Sequence, residues 1–147
     1  MAQLNVALFG YLPSEITVKA LAGILEAIDA VGGKASIEKS FKESVVLFQE
    51  TALNALLAPL DTFSKQEEVH SETSLFVSFG GDGTMLKAIT YIKDSGIPLV
   101  GVNTGRLGFL STIDVAAVQK VITDFVAGQY TIEERTMVGL YSDTSIK

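Results

Sequence analysis

At 147 residues, with 48% of them hydrophobic and a mean hydropathy of +0.37, the chain can bury the core of one ordinary domain with room for the start of a second. Its net charge of −6 and pI near 4.7 argue against a partner held by phosphate electrostatics, so nucleic acid is not expected, while local amides and cations leave a small phosphorylated ligand open. The absence of cysteine excludes disulfides, thiolate catalysis and cysteine-based zinc sites, and fits a reducing cytoplasm. The first residues lack a cationic start and a leader-like apolar run, and charges interrupt every apolar stretch before the ~18 residues of a membrane helix. The expectation is a soluble, cytoplasmic protein with no membrane partner.

Residues 5–9 (NVALF) read as a buried strand ending at Gly10, and Pro13-Ser14-Glu15 supplies a helix start. Ile16, Ala20, Ile24, Ala27, Ile28 and Val31 then recur at helical spacing until Gly32-Gly33. In the intervening loop Tyr11 is the one candidate for ligand contact. Residues 34–39 are short enough for a second strand. Residues 43–57 contain no glycine or proline and predict one helix that stops before Pro59. The polar stretch 60–74 reads as a solvated loop, with a short strand near Thr62 and Phe63. It contains the only histidine, His70, which has no second histidine at ligand spacing and is expected on the surface.

Residues 75–79 (LFVSF) form the central strand, and a helix over 84–93 carries Leu86, Ile89 and Ile92 on its apolar face. Residues 98–102 (PLVGV) are the next strand, 103–110 a constrained turn, and 114–126 a helix burying Ala117, Val118, Val121, Ile122 and Phe125. This alternation predicts an α/β fold, a Rossmann-like open and mostly parallel sheet with helices on both faces, over residues 1–127. Residues 128–147 change character: Tyr130, Ile132, Met137, Val138, Leu140 and Tyr141 favour extended structure and read as the first strand region of a truncated β-rich domain.

The chain is organised around Gly80-Gly81-Asp82-Gly83-Thr84, a glycine-rich turn between the central strand and a helix. It fits neither the G-x-G-x-x-G fingerprint, which would need glycine at Leu86, nor the P-loop. Glycines let the backbone approach a ligand closely, and an aspartate among them can accept a proton from a hydroxyl or hold a metal. Both tasks suit phosphoryl transfer to an alcohol. The structural alternative is that Asp82 or Thr84 caps the helix, a role worth ~1 kcal/mol.

This turn followed by Met85-Leu86, together with the G-x-N-x-G-x-L-G-F string from Gly101 to Phe109, resembles the NAD kinase family. The first motif is shared with diacylglycerol and sphingoid lipid kinases, and a related one occurs in 6-phosphofructokinases; the second points to NAD kinases. The resemblance runs from the opening strand to Glu134-Arg135-Thr136-Met137. It implies ATP-dependent phosphorylation of the adenosine-ribose 2′-hydroxyl of NAD, a divalent metal, Mg²⁺ in the usual case, and a full-length protein that forms a homo-oligomer. It makes Asp82 the proton acceptor, and Gly81, Gly83, Thr84, Lys87, Asn103 and Phe109 substrate-binding. Lys87 could instead be a plain surface lysine, Phe109 a core residue, and Asn103 a turn stabiliser; no motif fixes a role for Arg106. The family's downstream Asn-Glu pair and second nucleotide-binding segment have no counterpart here, so the isolated chain is expected to be inactive. A lipid-kinase-like domain and a non-catalytic nucleotide-binding regulatory module are the alternatives.

Overall fold

A computed structural model describes residues 2–138 apart from Leu107 and Thr112. Within them, strands β1 (Asn5–Gly10), β2 (Lys34–Glu38), β3 (Asp61–Phe63), β4 (Leu75–Gly80), β5 (Leu99–Asn103) and β6 (Ile113–Asp114) form one sheet in the order β3-β2-β1-β4-β5-β6. Every pairing is parallel. Helices α1 (Glu15–Ala30), α2 (Lys39–Val46), α3 (Thr51–Leu57), α4 (Asp82–Ile92) and α5 (Val118–Val126) complete the alternating pattern. The α/β expectation is met.

Strands buried on both faces need apolar residues of both parities, which is why β1 and β4 read as unbroken hydrophobic runs. Val6, Leu8, Leu75, Val77 and Phe79 face one way, into a cluster with Leu21 and Ile24 of α1 and Ile122 of α5. Ala7, Phe9 and Phe76 face the other way, against Ala88 and Ile92 of α4. Helix α1 starts where the sequence places it, because Ser14 and Thr17 form a reciprocal capping box. Its buried face is rotated from the expected one: Ile16 and Val31 are exposed, while Thr17, Val18, Leu21 and Leu25 join Ala20, Ile24, Ala27 and Ile28 in the core.

Three elements differ from the sequence reading. The helix over 43–57 is two helices: Glu38 caps α2 by accepting from the Phe41 amide at 2.7 Å, so the helix begins earlier. It then ends because Gln49 adopts a left-handed conformation, φ 57°, without the glycine that usually marks such a stop. Helix α4 buries Thr84, Ala88 and Ile92 rather than Leu86, which is exposed; the small Ala88 lets the helix approach the sheet closely. The last helix begins at Val118, after the two-residue β6 and a 3-10 turn over Val115–Ala117 in which Asp114 accepts from the Ala116 amide. Strand β6 is too short to leave a periodic signal.

The expected short strand near Phe63 is β3, and His70 is exposed, its Nδ1 accepting from the Glu72 amide at 3.1 Å. Residues 129–138 have no regular secondary structure, and the expected extended residues Leu140 and Tyr141 lie outside the described residues. Among those described, no helix is long and apolar enough to cross a membrane.

Register decides where chemistry collects. Gly10 pairs with Phe79, and Gly80 with Asn103, so both glycine motifs leave the sheet at its carboxyl edge. The strand order reverses between β1 and β4, and ligands in open parallel sheets bind in the crevice outside that point.

Candidate active site

Strand β4 ends at Gly80, whose φ of +154° suits glycine, and the Thr84 side chain packs where a Cβ would stand. Thr84 is therefore buried in the turn that it shapes. Gly81 is the N-cap of α4 and no side chain caps the helix, so neither Asp82 nor Thr84 does so and its first-turn amides have no side-chain acceptor. Nothing lies within 4 Å of a Cβ built on Gly81 or Gly83. That open space admits a ligand to the backbone.

Asp82 reaches across to the second motif. Its Oδ1 accepts from the amides of Leu110 (2.9 Å) and Ser111 (3.2 Å), and its Oδ2 from the amide of Phe109 (3.0 Å). Amides of Leu110, Phe109 and Ser111 stabilise the ionised form, so this carboxyl is held below the ordinary value of 3.8, with burial opposing only weakly. Gly108 makes the contact feasible, because a Cβ there would meet the Asp82 carboxylate. The Ser111 hydroxyl donates to the Gly80 carbonyl at 3.2 Å and closes the link from β4 to the loop after β5.

A carboxylate offers about four acceptor positions. Three are taken, which leaves one on Oδ2 for a ligand hydroxyl. Folding also couples to protonation here. The folded value lies below the unfolded one, so the clamp contributes fully above pH 3.8 and is lost as pH falls through the folded value. The stability difference between wild type and Asp82→Asn, measured by denaturant midpoints, should therefore shrink as the solution is acidified below that value. A gap that persists unchanged in strong acid would remove the ionised clamp from the account.

The remaining residues expected at a site fall into two groups. Phe109 is 93% exposed, which overturns core packing and leaves its ring free beside Asp82. Asn103 is engaged in its own turn: Oδ1 accepts from the Gly105 amide at 3.0 Å, and Nδ2 donates to the Arg106 carbonyl at 2.8 Å. Lys87 lies on another face of α4, its ammonium 3.6 Å from the centroid of the Tyr11 ring, so the loop after β1 touches α4 through a cation–π contact. Among the described residues no three His, Asp or Glu side chains converge to hold a metal ion. The described residues alone thus build no cage for the expected divalent cation. The amides of 109–111 and the Ser111 hydroxyl were not legible as site groups; the last glycine of the second motif, Gly108, was the available hint.

Comparison with known proteins bears on the family and the fold. The family model for the ATP-NAD kinase N-terminal domain matches residues 34–130. An NAD kinase of Cytophaga hutchinsonii is 41% identical over 85 residues, covering 58% of this chain and 29% of that protein. One from Flavobacterium psychrophilum is 28% identical over 144 residues (98% of this chain, 47% of that protein), and one from Aromatoleum aromaticum 32% over 133 (90% and 41%). The chain spans less than half the length of each of these relatives. In fold it is similar to yeast NADH kinase, solved in complex with NADH, with a TM-score of 0.67 at 21% identity over 86% of this chain and 37% of that one.

Proposed function

The chain belongs to the NAD kinase family, and from that premise we propose that it supplies the acceptor-activating wall of an enzyme that transfers a phosphoryl group from ATP to the adenosine-ribose 2′-hydroxyl of NAD, giving NADP. The observation that carries this reading is the Asp82 carboxylate: ionised, fixed by three amides, with one acceptor position open beside an exposed aromatic ring.

Asp82 accepts the ribose hydroxyl at the open position of Oδ2 and aims its oxygen at the γ-phosphorus. The bond from that oxygen to phosphorus forms as the bond from phosphorus to the ADP oxygen breaks. A depressed pKa makes Asp82 a weak base, so orientation comes first and the proton moves late, which a loose phosphoryl-transfer transition state tolerates. The uncapped amides at the start of α4 suit the phosphates, and Phe109 offers its face to a purine. Gly81 and Gly83 keep the approach clear, Thr84 holds the turn, and Asn103 holds the loop that carries Phe109.

The test is a choice of acceptor. A complete kinase carrying this domain should convert NAD to NADP with ATP and leave diacylglycerol and sphingosine unmodified. Phosphorylation of either lipid in place of NAD would transfer the chain to the lipid-kinase reading. Binding without any phosphorylated product would leave a regulatory module.

A further inference from the structure

One carbonyl anchors both ends of the loop after β5. The Gly80 oxygen accepts from the Thr104 amide at 3.2 Å, where the chain leaves the strand, and from the Ser111 hydroxyl at 3.2 Å, where it turns back toward β6. A carbonyl has two lone pairs, so both are engaged. Asn103 braces the first half of the loop through Gly105 and Arg106. The second half, which carries Phe109 and the amides that grip Asp82, is tied back to the sheet through the Ser111 hydroxyl.

Ser111 is fully buried and works through two groups at once. Its amide donates to Asp82 Oδ1 at 3.2 Å, and its hydroxyl donates to the carbonyl two residues before Asp82 in the chain. One residue therefore sets the spacing between the carboxylate and the end of β4. The sheet makes room for it. Gly101 pairs with Ser78 in the middle of β5, and a Cβ built there would stand 2.9 Å from the Ser111 Oγ and overlap Met85, so the absent side chain is what admits the hydroxyl beneath the turn. Alanine would fill almost the same space, so packing alone does not call for a hydroxyl at this position.

We propose that Ser111 is a positioning residue: by holding the Gly80 carbonyl, its hydroxyl keeps the 109–111 amides on Asp82 and so aims the open carboxylate position at the acceptor hydroxyl. It acts through Asp82 and touches no reacting atom. Its effect on turnover rests on the kinase reading; its effect on the clamp does not. Without the hydroxyl, Gly80 keeps the Thr104 amide and no buried donor is stranded, so the fold persists. The loop then shifts against the end of β4, and a displacement of about 1 Å is enough to cost up to a hundredfold in rate.

Hydrogen exchange followed by NMR on the 147-residue chain reads the clamp directly. Ser111→Ala should speed exchange of the Phe109 and Leu110 amides about tenfold or more, while Val77 in β4 keeps its protection. Ser111→Cys, close in shape but a weak donor, should move the same amides in the same direction, so the result does not hang on one variant. In a complete kinase carrying this domain, Ser111→Ala should lower kcat about tenfold to a hundredfold and add little to the loss from Asp82→Asn, because a group that acts through Asp82 has nothing left to position once the carboxylate is gone. Unchanged exchange at Phe109 and Leu110, lost protection throughout the sheet, unchanged turnover, or losses that add to that of Asp82→Asn would overturn the proposal. The expected exchange pattern in a protein whose wild type phosphorylates a lipid, or nothing, would sink the kinase reading and leave Ser111 as the residue that places Asp82.

Discussion

Asp82→Asn in a complete kinase carrying this domain is expected to lower the rate of NADP formation by about two to four orders of magnitude, the usual worth of a positioned acid–base group. The substitution is nearly isosteric, and its amide oxygen can keep the Leu110 and Ser111 amides. Its NH₂ then faces the Phe109 amide, donor against donor, and the position left open for the ribose hydroxyl no longer accepts. The fall should therefore appear in kcat, with KM for ATP little changed and circular dichroism preserved. Near-normal turnover would sink Asp82 as the acceptor-activating group.

Gly108→Ala is expected to cost at least about a hundredfold in kcat/KM for NAD, although residue 108 carries no chemistry. An added methyl would land on the Asp82 carboxylate, so either that side chain rotates or the 109–111 amides withdraw. Displacements of about 1 Å are enough for a loss of this size. Because both substitutions dismantle one device, combining Gly108→Ala with Asp82→Asn should add little to the single Asp82→Asn loss. Initial-rate kinetics on the two single variants and the double variant test this. Additive losses would mean that Gly108 and Asp82 act separately.

The fold was legible because its main elements announce themselves locally. Continuous apolar runs mark β1 and β4, and Ser14 marks the start of α1. What escaped depends on distant neighbours. Gln49 breaks a helix from a left-handed conformation that its side chain does not advertise, and Ala88 rather than Leu86 meets the sheet because closeness matters more there than hydrophobic mass. At the site, glycine spacing located Asp82, but its nearest partners are main-chain amides 27 to 29 residues away, and amides carry no residue-specific signature.

The position of β1 has a consequence for how the molecule assembles. It lies between β2 and β4, and its register with β4 joins Val6 to Leu75, almost seventy residues away along the chain. The β1–α1–β2 unit can form from neighbours, but the stack of Phe41 on Phe79 and the β1–β4 pairing must wait for that long loop to close. Topologies dominated by such distant pairings fold slowly. The crevice is thus among the last features to exist as the chain folds, since its two walls are the ends of the strands that meet latest.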